Sequence, residues 1–271
     1  MHEQATAFRE ESDALYAILE PLTDADWGRK TQFNGWTIND VMAHLHSGNH
    51  SAELSLRDGA AYTRVKAEQK KRGDEQGLSN LAMTHLWLDG VRNRVLLTQW
   101  RATFNGVAAA FAVADPRKRV PWAGRDMSAR SSISARLMET WAHGQEIYDL
   151  LGKERVNTDR IRNIATLGVN TFGWTFANRG LPVPPLRPRV RLVAPSGATW
   201  EWDADPKDNN DNLVEGSAAE FCQVVAQTRN IADTKLKVSS DIAKQWMAVA
   251  QCFAGPPRTP PAPGVRFMQR G

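Results

Sequence analysis

Cysteine is nearly absent from this chain: Cys222 and Cys252 are the two among 271 residues. Two cysteines cannot build a disulfide framework or a Cys-rich zinc site, so the composition points to a reducing compartment, the cytoplasm. Long apolar runs are missing as well. None approaches the roughly 18–20 residues of a membrane span. The opening MHEQATAFREESD lacks the basic and apolar regions of a secretory signal, so no leader is expected there. Charge of one sign is scarce: 34 Lys and Arg stand against 30 Asp and Glu, a net of +4. An excess so small and scattered suits an acidic small molecule at least as well as nucleic acid. No Gly-rich phosphate loop, Ser-His-Asp signature or basic stripe interleaved with aromatics occurs. Nucleotide hydrolysis, serine catalysis and nucleic-acid binding are therefore set aside. Histidine is unevenly spread. His2, His44, His46, His50, His85 and His143 are all six, and none lies beyond 143. Histidine chemistry must come from the first half.

What is present reads as an ordinary globular chain, 42% hydrophobic and 24% charged, long enough for one large or two modest domains. The first half has helical periodicity. Phe8, Leu15, Ile18, Leu19 and Leu22 recur at three- and four-residue spacing over about 4–22. Thr37-Ile-Asn-Asp40 has the form of a capping box opening a helix to about 56, with Trp36 before it as a hydrophobic staple. Residues 57–78 are polar and weakly periodic, and are expected to be a mobile or partly helical connection. Helices are expected over about 79–112, 128–151 and 157–178, with Gly152 and Gly180 as C-terminal stops. A proline-rich stretch, LPVPPLRP, follows. Next come two alternating runs, RVRLVA and ATWEWDA, that read as a β-hairpin. A helix at 217–230, a strand-like KLKVS and a helix at 241–253 complete the chain. The fold expected is mainly α with a small α+β part: a helical domain over 1–180 and a small C-terminal domain over 181–271.

The richest local signal is Glu139-Thr-Trp-Ala-His143. Residues at i and i+4 share a helix face, so a carboxylate oxygen and an imidazole nitrogen can converge on one cation. Alone, such a pair is more often a surface ion pair. His44 projects from the buried side of its helix, among Val41 and Leu45, where the plain alternative is a core histidine satisfied by a hydrogen bond. Facing helices can build a metal site together. Two imidazoles and a carboxylate leave a coordination position open, as catalytic zinc sites do. His46 lies about 200° around the helix from His44. It and His50 are expected to face solvent or rim a pocket. His85 is a further ligand candidate, or a half-buried structural histidine. Glu146 falls near the Glu139–His143 face and is a candidate to orient a ligand or move a proton.

The segments GWTINDVMAHL (35–45), VPWAGRDMS (120–128), ARLMETWAHGQE (135–146), AEFCQVVAQTRN (219–230) and AGPP (254–257) resemble the DinB-like metal-binding superfamily. The nearest likeness is to its mycothiol-dependent maleylpyruvate isomerase group. The resemblance implies an N-terminal four-helix bundle holding zinc or another divalent ion through His44, Glu139 and His143. It also implies a small C-terminal α/β domain whose Arg229 binds or polarises an acidic substrate. The implied activity is isomerisation or transfer, dependent on mycothiol or a similar thiol.

Trp122 and Arg125, in the loop before the Glu139 helix, are candidates to line the cofactor or substrate pocket. Arg117, Lys118, Arg119 and Arg130 make that loop basic. Cys222 sits on an apolar helix face and reads as core, so the sulfur would come from an external thiol. Two rivals stand beside this reading: a metal-dependent hydrolase using bound water, and a non-catalytic metal-binding protein. Expected partners are a small acidic molecule, with no nucleic acid or membrane, in a monomer or homodimer.

Overall fold

The computed structural model describes residues 1–122, 126–202 and 211–269. It is mostly helical with a small sheet, and it divides into two compact units, Met1–Ile147 and Tyr148–Gly271. The change of composition near Gly180 falls inside the second unit. The helices before it pack on later ones: the helix Arg162–Asn170 lies against the helix Ala218–Val225.

In the first unit, α1 (His2–Leu19), α2 (Ile38–Arg57) and α5 (Asn93–Val113) form the main layer, with α5 lying along both α1 and α2. Phe8, Leu15 and Leu19 of α1 bury against Trp100, Phe104 and Phe111 of α5 to make the core. α2 starts as its sequence dictates. Asp40 N–H donates to Thr37 Oγ1 at 3.1 Å, and Thr37 N–H donates to the Asp40 carboxylate at 2.8 Å, a complete capping box. The polar stretch 57–78 is a helix, α3 (Gly59–Gln76), capped by Asp58 and stopped by a left-handed Gly77. Its largely exposed surface explains the missing apolar period, and i,i+4 pairs such as Lys70–Asp74 lace its outer face. The expected single helix over 79–112 is two, α4 (Asn80–Leu88) and α5. Asp89 and Gly90, both with positive φ, break it. Two short strands, β1 (Arg119–Val120) and β2 (Met127–Ser128), pair antiparallel before α6 (Ala129–Leu150). α6 meets α2 through Arg136. This buried guanidinium donates to Asn49 Oδ1 at 3.0 Å and to Leu45 O at 3.3 Å, against a side chain-free Gly48.

In the second unit, α7 (Arg162–Asn170) and α8 (Phe172–Asn178) join at Thr171, and Gly180 stops α8 with φ 66°. The expected hairpin is β3 (Arg189–Val193) against β4 (Thr199–Trp202), in register Val190↔Trp202. The sheet order is β4-β3-β5-β6. β5 (Leu213–Ser217) runs parallel to β3, and β6 (Lys237–Val238) is antiparallel to β5. Val190, Leu192 and Val214 bury one sheet face, while α9 (Ala218–Val225) contributes Phe221 and α10 (Asp241–Val249) contributes Trp246 to the core. Among the described residues, no helix is long and apolar enough to cross a membrane.

Candidate metal centre

The capping box fixes where α2 begins, and with it the facing of His44, two turns further on. α6 presents Glu139 and His143 one turn apart on the side that meets α2. Glu139 Oε2 accepts from His44 Nε2 at 2.9 Å and lies 3.6 Å from His143 Nε2. One ligand atom from each of the three residues falls within 4.8 Å of the others, a group that could hold a metal ion. The imidazole centroids are 4.6 Å apart.

The electrostatics suit such an ion. Burial alone would raise the Glu139 pKa, but hydrogen bonds from His143 and His44 outweigh it and hold the carboxyl well below its usual range. Burial pushes the His143 imidazolium below its ordinary value, so the ring is neutral near pH 7. Neutral imidazole and ionised carboxylate are the forms that bind metal. His143 Nδ1 is buried with no hydrogen-bond partner among the described residues. The donor set therefore fits a borderline divalent ion such as zinc.

Two aromatic walls went unread in the sequence. Phe33-Asn34-Gly35-Trp36 is a type I′ turn: Asn34 and Gly35 have φ of 53° and 66°, and Trp36 N–H donates to Phe33 O at 2.9 Å. Such a turn sets its two corner residues side by side, here with ring centroids 4.9 Å apart. Trp36 stacks on His143 at 5.7 Å and 8°, and Phe33 meets the same ring edge-on at 5.0 Å. Trp36, expected as a hydrophobic staple, is thus half-buried over the histidines. The Asn-Gly pair was the available signal.

The remaining candidates are distributed as follows. Glu146 is 2% exposed on α6. His85 Nε2 bonds Asp40 Oδ1 at 2.6 Å, which ties α4 to the cap of α2 and leaves it outside the group of three. His46 departs from the solvent-facing expectation. It is 2% exposed because Trp87 of α4 covers it, and burial lowers its pKa to about 4. His50, beside it, is exposed. Trp122 stacks on Tyr62 of α3, with centroids 5.9 Å apart. Arg125 lies outside the described residues. In the second unit, Arg229 forms a bidentate pair with Asp149, both bonds at 2.7 Å. Cys222 is fully buried, and burial raises its thiol pKa well above the usual value.

Known proteins resemble the chain throughout. Two uncharacterized proteins from strains of Mycobacterium tuberculosis are each 36% identical to it over 250 residues, covering 92% of this chain and 94% of theirs. The crystal structure of the mycothiol-dependent maleylpyruvate isomerase superposes with a TM-score of 0.52, over 83% of this chain and 88% of that one. At 17% identity, that likeness is one of fold. The family model described as the mycothiol maleylpyruvate isomerase N-terminal domain matches residues 8–148, a span that begins in α1 and takes in His44, Glu139 and His143. The chain belongs to that family.

Proposed function

We propose that the chain is a divalent-metal-dependent enzyme that uses mycothiol or a similar low-molecular-weight thiol to isomerise, or transfer the thiol to, a small acidic substrate. The observation carrying this reading is the convergence of His44, Glu139 and His143 within 4.8 Å beneath the Phe33–Trp36 turn. When bound, a zinc-like ion with an open position supplies Lewis-acid stabilisation of a thiolate.

The chain's own residues would do the rest. His44 and His143 offer imidazole nitrogens, and the Glu139 carboxylate offsets part of the ion's charge. Phe33 and Trp36 exclude water from one side, which favours a desolvated, reactive sulfur. Glu146, buried on α6, is the candidate to hold or move a proton. Addition of the thiolate to an unsaturated carbon, rotation about the resulting single bond and elimination of the thiolate would give cis–trans isomerisation. Addition with protonation of the neighbouring carbon would give transfer. Arg229 is the candidate anion-holding residue of the second unit. Asp149 already occupies both its arms, so a substrate carboxylate would have to share or displace that partner. Both cysteines are buried, so neither offers an accessible thiol, and an external thiol is the natural sulfur source in a reducing cytoplasm.

Metal analysis of the purified chain beside His44→Ala and His143→Ala tests the site. Each variant is expected to hold one equivalent less than the parent; undiminished metal in both sinks it. Mycothiol added to cobalt-substituted protein should shift the visible spectrum. Turnover of activated esters without thiol, and no such shift, would put a hydrolase in its place.

A further inference from the structure

The opposite face of α2 carries a second pair of imidazoles. His46 and His50 stand one turn apart with ring centroids 4.6 Å from each other, the separation also found between His44 and His143. Trp87 of α4 covers both rings, at 5.6 Å from His46 and 5.1 Å from His50. His46 is 2% exposed, and its Nδ1 is buried without a hydrogen-bond partner among the described residues. A buried polar atom without a partner is destabilising, so its presence asks for one. Glu53 adds a carboxylate to the same face, since 46, 50 and 53 follow the i, i+4, i+7 stripe of a helix. Its present partner is the exposed Arg57 at 2.8 Å. A surface i,i+4 pair of this kind is weak and readily exchanged.

We propose that His46 and His50 form a second divalent-metal site, separate from the His44–Glu139–His143 group, with Glu53 as its third ligand and Trp87 as its wall. Imidazole pairs take borderline ions such as Ni²⁺, Cu²⁺ and Zn²⁺. Metal–nitrogen bonds of about 2.0–2.1 Å hold two ligand nitrogens at most about 4.2 Å apart. As the side chains stand, the ligand atoms of His46, His50 and Glu53 do not all lie within 4.8 Å of one another, so the exposed His50 ring and the Glu53 carboxylate must turn to close the site around His46. The site joins α2 to α4 and does not depend on the proposed reaction.

The test uses the full-length chain with His44→Ala and His143→Ala, titrated with Ni²⁺ and followed by tryptophan fluorescence. Quenching should saturate near one equivalent. Adding Trp87→Phe should remove most of the signal. His50→Gln, at an exposed position, should weaken binding by at least the roughly 10–100-fold that loss of an outer-shell partner costs. In the chain with His44 and His143 intact, His50→Gln should lower bound Ni²⁺ by one equivalent. Absence of saturable quenching, or binding unchanged by His50→Gln in either chain, overturns the proposal.

Discussion

Gly48→Ala should destabilise the protein although the position is in the middle of a helix, where alanine is ordinarily favoured. In α2 the exchange alone would gain about 1 kcal/mol. A Cβ at Gly48, however, would stand 2.6 Å from Arg136 Nη1, 2.7 Å from its Cζ and 2.8 Å from Nη2. The guanidinium cannot retreat into water, because Arg136 is 2% exposed. It must loosen its bonds to Asn49 Oδ1 and Leu45 O. A hydrogen bond from a charged group contributes about 1.5–3 kcal/mol, and overpacking costs about 1–3. These overlap, so the loss is about 2–4 kcal/mol and the net destabilisation about 1–3. At roughly 2–4 °C per kcal/mol, the unfolding midpoint should fall by about 2–12 °C. The decisive control is Gly48→Ala placed on Arg136→Leu. With the guanidinium gone, the same alanine should stabilise by roughly 0.5–1 kcal/mol. Melting curves of the four chains close a double-mutant cycle. If the alanine has the same sign in both backgrounds, Arg136 does not lock α2 to α6 as described.

Other outcomes follow from buried groups. His46 refuses a proton until about pH 4, whereas in the unfolded chain it accepts one near 6.5. Its contribution to stability is therefore complete above about 6.5 and lost as pH falls toward 4, at roughly 1.4 kcal/mol per pH unit and about 3 kcal/mol in all. Urea midpoints across that range should show the slope, and His46→Gln should flatten it; parallel profiles would contradict the assignment. Neither Cys222 nor Cys252 should react with an aromatic disulfide reagent before unfolding, since both are buried. Rapid labelling of the native protein would count against that. Asp149→Asn leaves Arg229 without its charge partner and should cost the second unit roughly 3–5 kcal/mol in denaturant unfolding. A change below about 1 kcal/mol would mean the pair is solvated.

The legibility of this chain followed the range of the interactions involved. Local patterns carried the capping box at Thr37 and Asp40, the Glu139–His143 spacing and the β3–β4 hairpin, because each is written within a few residues. His44 could be placed on a buried face but not opposite Glu139, which the packing of α6 on α2 decides. α3 escaped because its stability comes from end caps and surface pairs, not from an apolar stripe. The break at Asp89-Gly90 was masked by apolar positions continuing on either side. The parallel pairing of β5 with β3 joins distant segments and has no local signature. The burial of His46 rests on Trp87, a residue of another helix.

The type I′ turn at Phe33–Trp36 separates two tasks that many metal sites leave entangled. The groups that could bind an ion belong to α2 and α6, where one misplaced residue disturbs helix packing. The rings above them belong to a tight loop whose shape is set by Asn34 and Gly35 and by the Thr31 hydroxyl, which donates to Trp36 O at 2.9 Å. Positions 33 and 36 can therefore vary while the backbone of the turn and the ion-binding helices stay as they are. Under the proposed function, two loop side chains would be the place to change what the site acts upon. A laboratory library confined to those two codons would explore the same freedom.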